Sequence, residues 1–197
     1  MIKHTAPIAF FTVLVLGLQT SVAYGHSSET TDPAGDLSVA APAYFDIVSA
    51  KVTEQVGQQT LYMKIEMASA IPKTPTTPTG APQFFAANWI VDAPVGSPRF
   101  EYNVIVRYCS HTIQAPCLGD AWHWESALAT PTGQTVGVFP FNVEGANVKA
   151  YVGLSQLGAT NLTRLDWVAL SRNRPGVSGA PPIDFAPNFQ AVVSLFR

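Results

Sequence analysis

The feature that most constrains the fold is a strict alternation of apolar and polar residues in short runs. Leu61–Met67 is the clearest run, apolar at the odd positions and mainly polar at the even ones. Successive side chains of a β-strand point to opposite faces of the sheet, so a period of two predicts a strand with one buried face. No amphipathic stretch is long enough for a major helix. The chain is therefore predicted to be all-β.

The alternating runs are short and are separated by residues that favour turns. The prolines between Ile71 and Pro82 predict a surface loop, because proline cannot donate to a β-ladder. One helical turn is predicted at Ser155–Gly158. Eight or nine short strands indicate a single antiparallel β-sandwich, jelly-roll or immunoglobulin-like. The predicted strands are an antiparallel pair within Tyr44–Met67, then Phe85–Asp92, Phe100–Cys109, Ala121–Ser126, Gln134–Val143, Asn147–Leu154, Arg164–Ser171 and Phe189–Phe196.

The first 25 residues have the pattern of a secretory signal peptide. Lys3 precedes an apolar run from Ile8 to Leu18, and small residues follow at Ala23 and Gly25. The run is too short and too interrupted for a membrane span, which needs about 20 apolar residues. We therefore predict a signal peptide at 1–25, an extended arm with an acidic turn at 26–43, and the sandwich at 44–197. The expected location is secreted or periplasmic.

Charge and cysteine content narrow the classes of partner and compartment. The formal net charge is −2 and only 12% of residues are charged. A nucleic-acid-binding protein would carry a basic patch or stripe, so that class is not expected. Cys109 and Cys117 are predicted to form a disulfide, since the chain is expected in an oxidising compartment.

An acidic turn precedes the first predicted strand. The segment from Asp32 to Asp36 contains Pro33 and Gly35, and Asp46 follows ten residues later. Proline, glycine and aspartate all favour a tight turn. Several carboxylates in one flexible loop can also hold a hard cation such as calcium. Both interpretations stay open at this point.

Four short motifs carry a resemblance to a known class of domain. They are Asp32-x-x-Gly35-Asp36, then Asp46-Ile47, then Asn147-Val148 with Gly153-Leu154-Ser155-Gln156-Leu157-Gly158, and finally Asp184-Phe185-Ala186-Pro187-Asn188. In this order the chain resembles family 9 carbohydrate-binding modules and DOMON domains, which are secreted β-sandwiches. The resemblance implies a jelly-roll-like sandwich, often with structural calcium, that binds sugar or haem. It also implies that Asp184 joins Asp32 and Asp36 in binding calcium.

Two redox alternatives are considered beside sugar binding. A b-type haem in a DOMON-like domain would need an axial methionine with a histidine or a lysine. Met63, Met67, His111 and His123 are available, although methionines on an apolar strand face usually fill the core. A mature chain beginning at His26 could bind copper through its α-amino group and imidazole, as in copper monooxygenases and copper carriers. His111 or His123 would then supply the second imidazole.

No pattern typical of a hydrolase is present. The sequence lacks a Gly-x-Ser-x-Gly elbow, a His-Glu-x-x-His zinc motif and a glycine-rich phosphate loop. His123 and Glu125 share a strand face, which is expected to be an exposed polar face. Trp122 and Trp124 also share a face, and flat indoles can stack on sugar rings. The expected function is a non-catalytic binding or surface-associated module, with polysaccharide or a cell-surface glycan as partner.

Overall fold

A computed structural model describes residues 24–38, 40–92, 102–112, 117–159, 162, 164–173, 183–187 and 193–196. The predicted signal peptide lies outside these residues, apart from Tyr24 and Gly25. The strands are β1 (Tyr24–Thr31), β2 (Ile47–Gln55), β3 (Thr60–Met67), β4 (Phe85–Asp92), β5 (Tyr102–Cys109), β6 (His123–Ala129), β7 (Thr135–Gly137), β8 (Phe141–Glu144), β9 (Asn147–Gly153), β10 (Arg164–Arg172), β11 (Asp184–Ala186) and β12 (Val193–Phe196).

The strands form two antiparallel sheets, which confirms the predicted all-β sandwich. The five-stranded sheet has the order β1-β2-β3-β9-β8. The seven-stranded sheet has the order β11-β10-β4-β5-β6-β7, and β12 also pairs with β10. Short turns join β2 to β3 and β8 to β9 within the five-stranded sheet. The segment between β3 and β4 and the segment between β7 and β8 each pass from one sheet to the other.

One hydrophobic core lies between the sheets. The predicted alternation of β3 is reproduced residue by residue, with the odd positions buried and the even positions half-buried. Burial of a large apolar side chain contributes roughly 1.5–3 kcal/mol, so this core is the main source of stability. Met63 and Met67 are both buried in it, as core-filling residues. The largest fully buried side chains are Trp89, Trp167, Phe45, Phe85, Ile47, Leu61, Met63, Ile65, Met67, Leu128, Leu154 and Leu157.

The aromatic face of β5 was predicted to be buried, and its described part agrees. Val104, Val106 and Tyr108 are buried and Tyr102 is half-buried. Phe100, which the prediction included, lies outside the described residues. The Ile71–Pro82 segment contains no strand and has only one isolated bridge, between Thr76 and Pro82.

Three details of the predicted strand map were wrong. Residues 24–31 are not an arm but the edge strand β1, so the sandwich begins before Tyr44. The single run predicted at Gln134–Val143 is two strands, β7 and β8, which belong to different sheets. The short strand β11 was not predicted. The described residues therefore contain twelve strands rather than eight or nine.

The predicted turns are present. Leu154–Leu157 forms a 3-10 helix, and Gly158 closes it with a φ of 68° that favours glycine. Gly35 has a φ of 91°, so the acidic segment turns at this residue. No helix in the described part of the chain is long and apolar enough to cross a membrane.

Candidate functional site

The acidic corner brings together the three aspartates that were predicted to bind calcium. Carboxylate oxygens of Asp32, Asp36 and Asp184 all lie within 4.8 Å of one another. Asp32 follows β1 and Asp184 begins β11, so the group joins the edges of the two sheets. Calcium binds oxygen at about 2.3–2.6 Å, so two oxygens on one ion lie at most about 5 Å apart. The spacing of the three carboxylates fits one ion.

Asp46 adds a fourth carboxylate to this corner. Its Oδ2 accepts a hydrogen bond of 2.7 Å from the backbone N–H of Gly35, which connects β2's start to the turn. Its Oδ1 is buried and accepts no hydrogen bond from any described residue. A buried carboxylate oxygen with no donor is costly unless a cation or water binds it. The donor set is therefore the all-oxygen type that suits calcium.

Asp184 shows the electrostatic cost of this arrangement. Its Oδ2 accepts from the N–H of Ile47 at 2.6 Å, and its Oδ1 accepts from its neighbour Phe185 at 2.8 Å. Burial raises the pKa of the Asp184 carboxyl to about 6, although these two donors lower it. The negative charges of Asp36 and Asp46 raise the pKa further. A bound cation would offset both the burial and the repulsion.

The predicted indole pair is partly used for packing. Trp122 stacks on Tyr108 with ring centroids 5.4 Å apart. Trp124 also contacts Tyr108, meets Phe85 edge to face at 5.6 Å, and donates from Nε1 to the carbonyl of Lys73 at 2.8 Å. Both indoles are half-buried. Both indoles pack against the hydrophobic core, and Trp122 also packs against the cluster that contains the disulfide.

The predicted disulfide between Cys109 and Cys117 is confirmed. It closes the loop between β5 and β6 and packs with Phe84 and Ala86 in a second, smaller apolar cluster on the outward face of the seven-stranded sheet. This cluster covers part of that face.

Glu125 is buried, and its expected place on an exposed polar face was wrong. It lies beside the disulfide cluster and only 5% of its side chain is exposed. Its Oε1 accepts from Arg107 Nε at 2.7 Å, while its Oε2 accepts from the N–H of Leu118 at 2.8 Å and lies 2.9 Å from His123 Nε2. Arg107 and Glu125 are direct cross-strand partners. These contacts fasten the disulfide loop to β5 and β6.

The histidines of the copper hypothesis are divided between the two sheets. His26 is exposed on β1, at the edge of the five-stranded sheet. His111 lies inside the loop that the disulfide closes, with its Nδ1 2.9 Å from the carbonyl of Cys117. His123 begins β6, with its Nδ1 2.7 Å from the carbonyl of Ala121. Among the described residues, no group of three or more metal-capable side chains includes a histidine. Copper and haem binding stay predictions.

A second candidate site, not predicted, is the outward face of the five-stranded sheet. An open groove of about 530 Å³ lies on this face over β1, β2 and β3. Tyr62 lines it and pairs with Tyr151 of β9, with ring centroids 5.4 Å apart. Hydroxyls, charged groups and an aromatic ring thus meet in one groove. Its lining residues are Ser27, Glu29, Ser49, Lys51, Thr53, Tyr62 and Lys64.

The alternation in β3 already indicated which residues of that strand face outward. What it could not show was the pairing of β3 with β9, which lies more than 80 residues further along the chain. Only this pairing brings Tyr62 and Tyr151 together.

No family of known proteins matches the chain, and neither does any curated protein or solved structure compared with it.

Proposed function

We propose that this protein is a non-catalytic polysaccharide-binding module of an oxidising, extracytoplasmic compartment. The observation that carries the proposal is the half-exposed Tyr62–Tyr151 pair beside the polar groove on the five-stranded sheet. Aromatic rings offer flat apolar surfaces on which sugar rings can stack, and polar side chains around them bind the hydroxyls. The disulfide supports the proposed compartment.

The acidic corner has a structural role in this proposal. Asp32, Asp36 and Asp184 would hold one calcium ion, with Asp46 as a further oxygen donor. The ion would stabilise the junction of β1 and β2 with β11. The corner and the groove involve different residues, so calcium is expected to affect stability rather than to contact the sugar.

A glycan array with the wild-type protein and a Tyr62→Ala/Tyr151→Ala variant tests the proposal. We expect binding to at least one polysaccharide, and loss of about thirtyfold in affinity in the variant, from two stacking contacts of about 1 kcal/mol each. A Tyr62→Phe/Tyr151→Phe variant keeps both rings and should retain most of the binding. Absence of binding to every glycan by folded wild-type protein would contradict the proposal.

The copper alternative is tested with the same preparation. It predicts tight copper(II) binding by the correctly processed chain, and loss of that binding when one extra residue precedes His26. Copper binding without any glycan signal would reverse the assignment.

A further inference from the structure

The outward face of the five-stranded sheet carries three lysines in one row. Lys51 of β2 is the direct cross-strand partner of Lys64 in β3, and Lys64 is the partner of Lys149 in β9. The row ends at Glu29 of β1 and Asn142 of β8. Only four lysines follow the predicted signal peptide in the sequence, so three of the four lie in this row. Like charges directly opposite one another destabilise a sheet, so such a row needs an explanation.

Each lysine in the row has its own glutamate. Lys51 lies 3.2 Å from Glu29, Lys64 lies 2.8 Å from Glu66, and Lys149 lies 3.5 Å from Glu144. The three pairs carry no net charge. The surface therefore does not attract an anion over a distance, but it offers a line of charged donors and acceptors.

The pairs are open to solvent. The lysine side chains are between 27% and 39% exposed, and those of the glutamates between 42% and 72%. Exposed pairs of this kind contribute roughly 0–1 kcal/mol to stability, so a stabilising role alone does not account for the row. Charged groups form stronger hydrogen bonds than neutral ones, and each pair can both donate to one hydroxyl and accept from its neighbour.

The spacing of the row matches an extended sugar chain. Neighbouring strands lie about 4.7–4.9 Å apart, so β2, β3 and β9 present one lysine each at that interval. The length that one pyranose unit adds to an extended polysaccharide is similar to this spacing between strands. Tyr62 and Tyr151 are cross-strand partners two residues from Lys64 and Lys149, so they flank the row on the same face.

We propose that the outward face of the five-stranded sheet, which includes the groove, binds a neutral, extended polysaccharide that runs across the strands, with one Lys–Glu pair for each of three successive sugar units. This inference rests on the proposed function, because it specifies the ligand class for the same face. The balanced charge favours a neutral polysaccharide over an acidic one. The row crosses β2, β3 and β9, so the polysaccharide is expected to lie across these strands.

Calorimetric titration with neutral oligosaccharides of increasing length tests the inference. Affinity is expected to rise up to three sugar units and then to level off. It should change less than about twofold between about 0.05 M and about 0.5 M salt, because no net charge is neutralised. Lys64→Met should weaken binding about tenfold, the effect of losing a charged hydrogen-bond donor. Lys73→Met, at the exposed fourth lysine, is the matched control and should bind like wild type.

Three outcomes would overturn the inference while leaving the proposed function intact. The first is tighter binding of an acidic polysaccharide, with affinity that falls steeply as salt rises. The second is equal affinity for one sugar unit and for three. The third is a Lys64→Met variant that binds like wild type although the double tyrosine-to-alanine variant has lost binding. Failure to bind any saccharide would instead contradict the proposed function, and the inference with it.

Discussion

The outward faces of the two sheets use ion pairs in opposite ways. On the seven-stranded sheet Arg107 and Glu125 are each only 5% exposed, and the carboxylate of Glu125 lies within 4.8 Å of the disulfide sulfurs. On the five-stranded sheet Lys64 and Glu66 are 28% and 42% exposed. The chemistry of the two pairs is alike, but their surroundings differ.

The difference determines what each pair can do. Both carboxylate oxygens of Glu125 are engaged by protein groups, namely Arg107, the N–H of Leu118 and the ring of His123. A ligand would have to displace these contacts. Glu29, Lys51 and Lys64 line an open groove and are accessible to solvent. One face is therefore structural, and the other is available for recognition.

The largest expected effect is a difference in stability between a variant of the buried ion pair and a variant of an exposed one. Arg107→Met leaves the carboxylate of Glu125 buried without its main partner, and should lower the free energy of unfolding by about 3–5 kcal/mol. Lys64→Met breaks an exposed pair and should cost less than about 1 kcal/mol. Urea denaturation of both variants beside wild type measures the contrast. Equal losses would remove the distinction between a structural face and an open one.

The acidic corner joins the edges of the two sheets and gives a dependence on pH. In the folded protein the pKa of Asp184 is raised from 3.8 to about 6, mainly by burial. The folded state then binds more protons than the unfolded state between these two values. With a chelator present, stability should therefore fall as pH rises from about 4 to about 6, by up to about 3 kcal/mol.

The Asp184→Asn variant is the control for this pH dependence. The variant lacks the titrating group. Between about pH 4 and about pH 6 its free energy of unfolding should therefore fall by about 3 kcal/mol less than that of wild type. Parallel profiles for the two proteins, from urea denaturation at successive pH values, would show that Asp184 has an ordinary pKa.

Calcium should strengthen the same junction. A ligand that binds only the folded state at about 100 times its Kd adds about 2.7 kcal/mol. For a chain of this size the melting temperature should then rise by about 5–10 °C relative to chelator-treated protein. Differential scanning calorimetry at neutral pH measures the shift, and Asp184→Asn should reduce it. Coincident melting curves in calcium and in chelator would leave the three aspartates as turn and edge residues only.

The small apolar cluster on the outward face of the seven-stranded sheet should depend on the disulfide. Cys109 and Cys117 are 8 residues apart in sequence, and closing so short a loop stabilises a protein by about 2.5 kcal/mol in the chain-entropy account. Cys109→Ala/Cys117→Ala should lose about that much, while the open face keeps its affinity for sugar. Loss of sugar binding in the folded double variant would show that the two faces are coupled.

The sequence predicted most clearly the features that depend on local pattern. The alternation of Leu61–Met67 and the glycines at 35 and 158 led directly to a strand and two turns. β1 was missed because His26-Ser27-Ser28-Glu29 has no apolar alternation, and an edge strand with polar side chains lacks that signal.

Features that depend on strand pairing could largely not be predicted from the sequence. Glu125 was expected at an exposed face because an outward strand position suggests solvent, but its carboxylate is buried within 4.8 Å of the two cysteine sulfurs. The lysine row follows from the registers of β2, β3 and β9, which no local pattern contains. Asp184 is the exception, since the resemblance placed it with Asp32 and Asp36, and the structure brings the three together.

The most direct test compares sugar binding by variants of the two candidate aromatic sites. Calorimetric titration of a glycan identified on the array is run with Tyr62→Ala/Tyr151→Ala, on the open face, and with Trp122→Ala, beside the disulfide cluster. Circular dichroism confirms that both are folded. We expect a loss of about thirtyfold in affinity for the tyrosine variant and wild-type affinity for the tryptophan variant. Loss of binding in Trp122→Ala with retention in the tyrosine variant would contradict the assignment of the five-stranded sheet as the binding face.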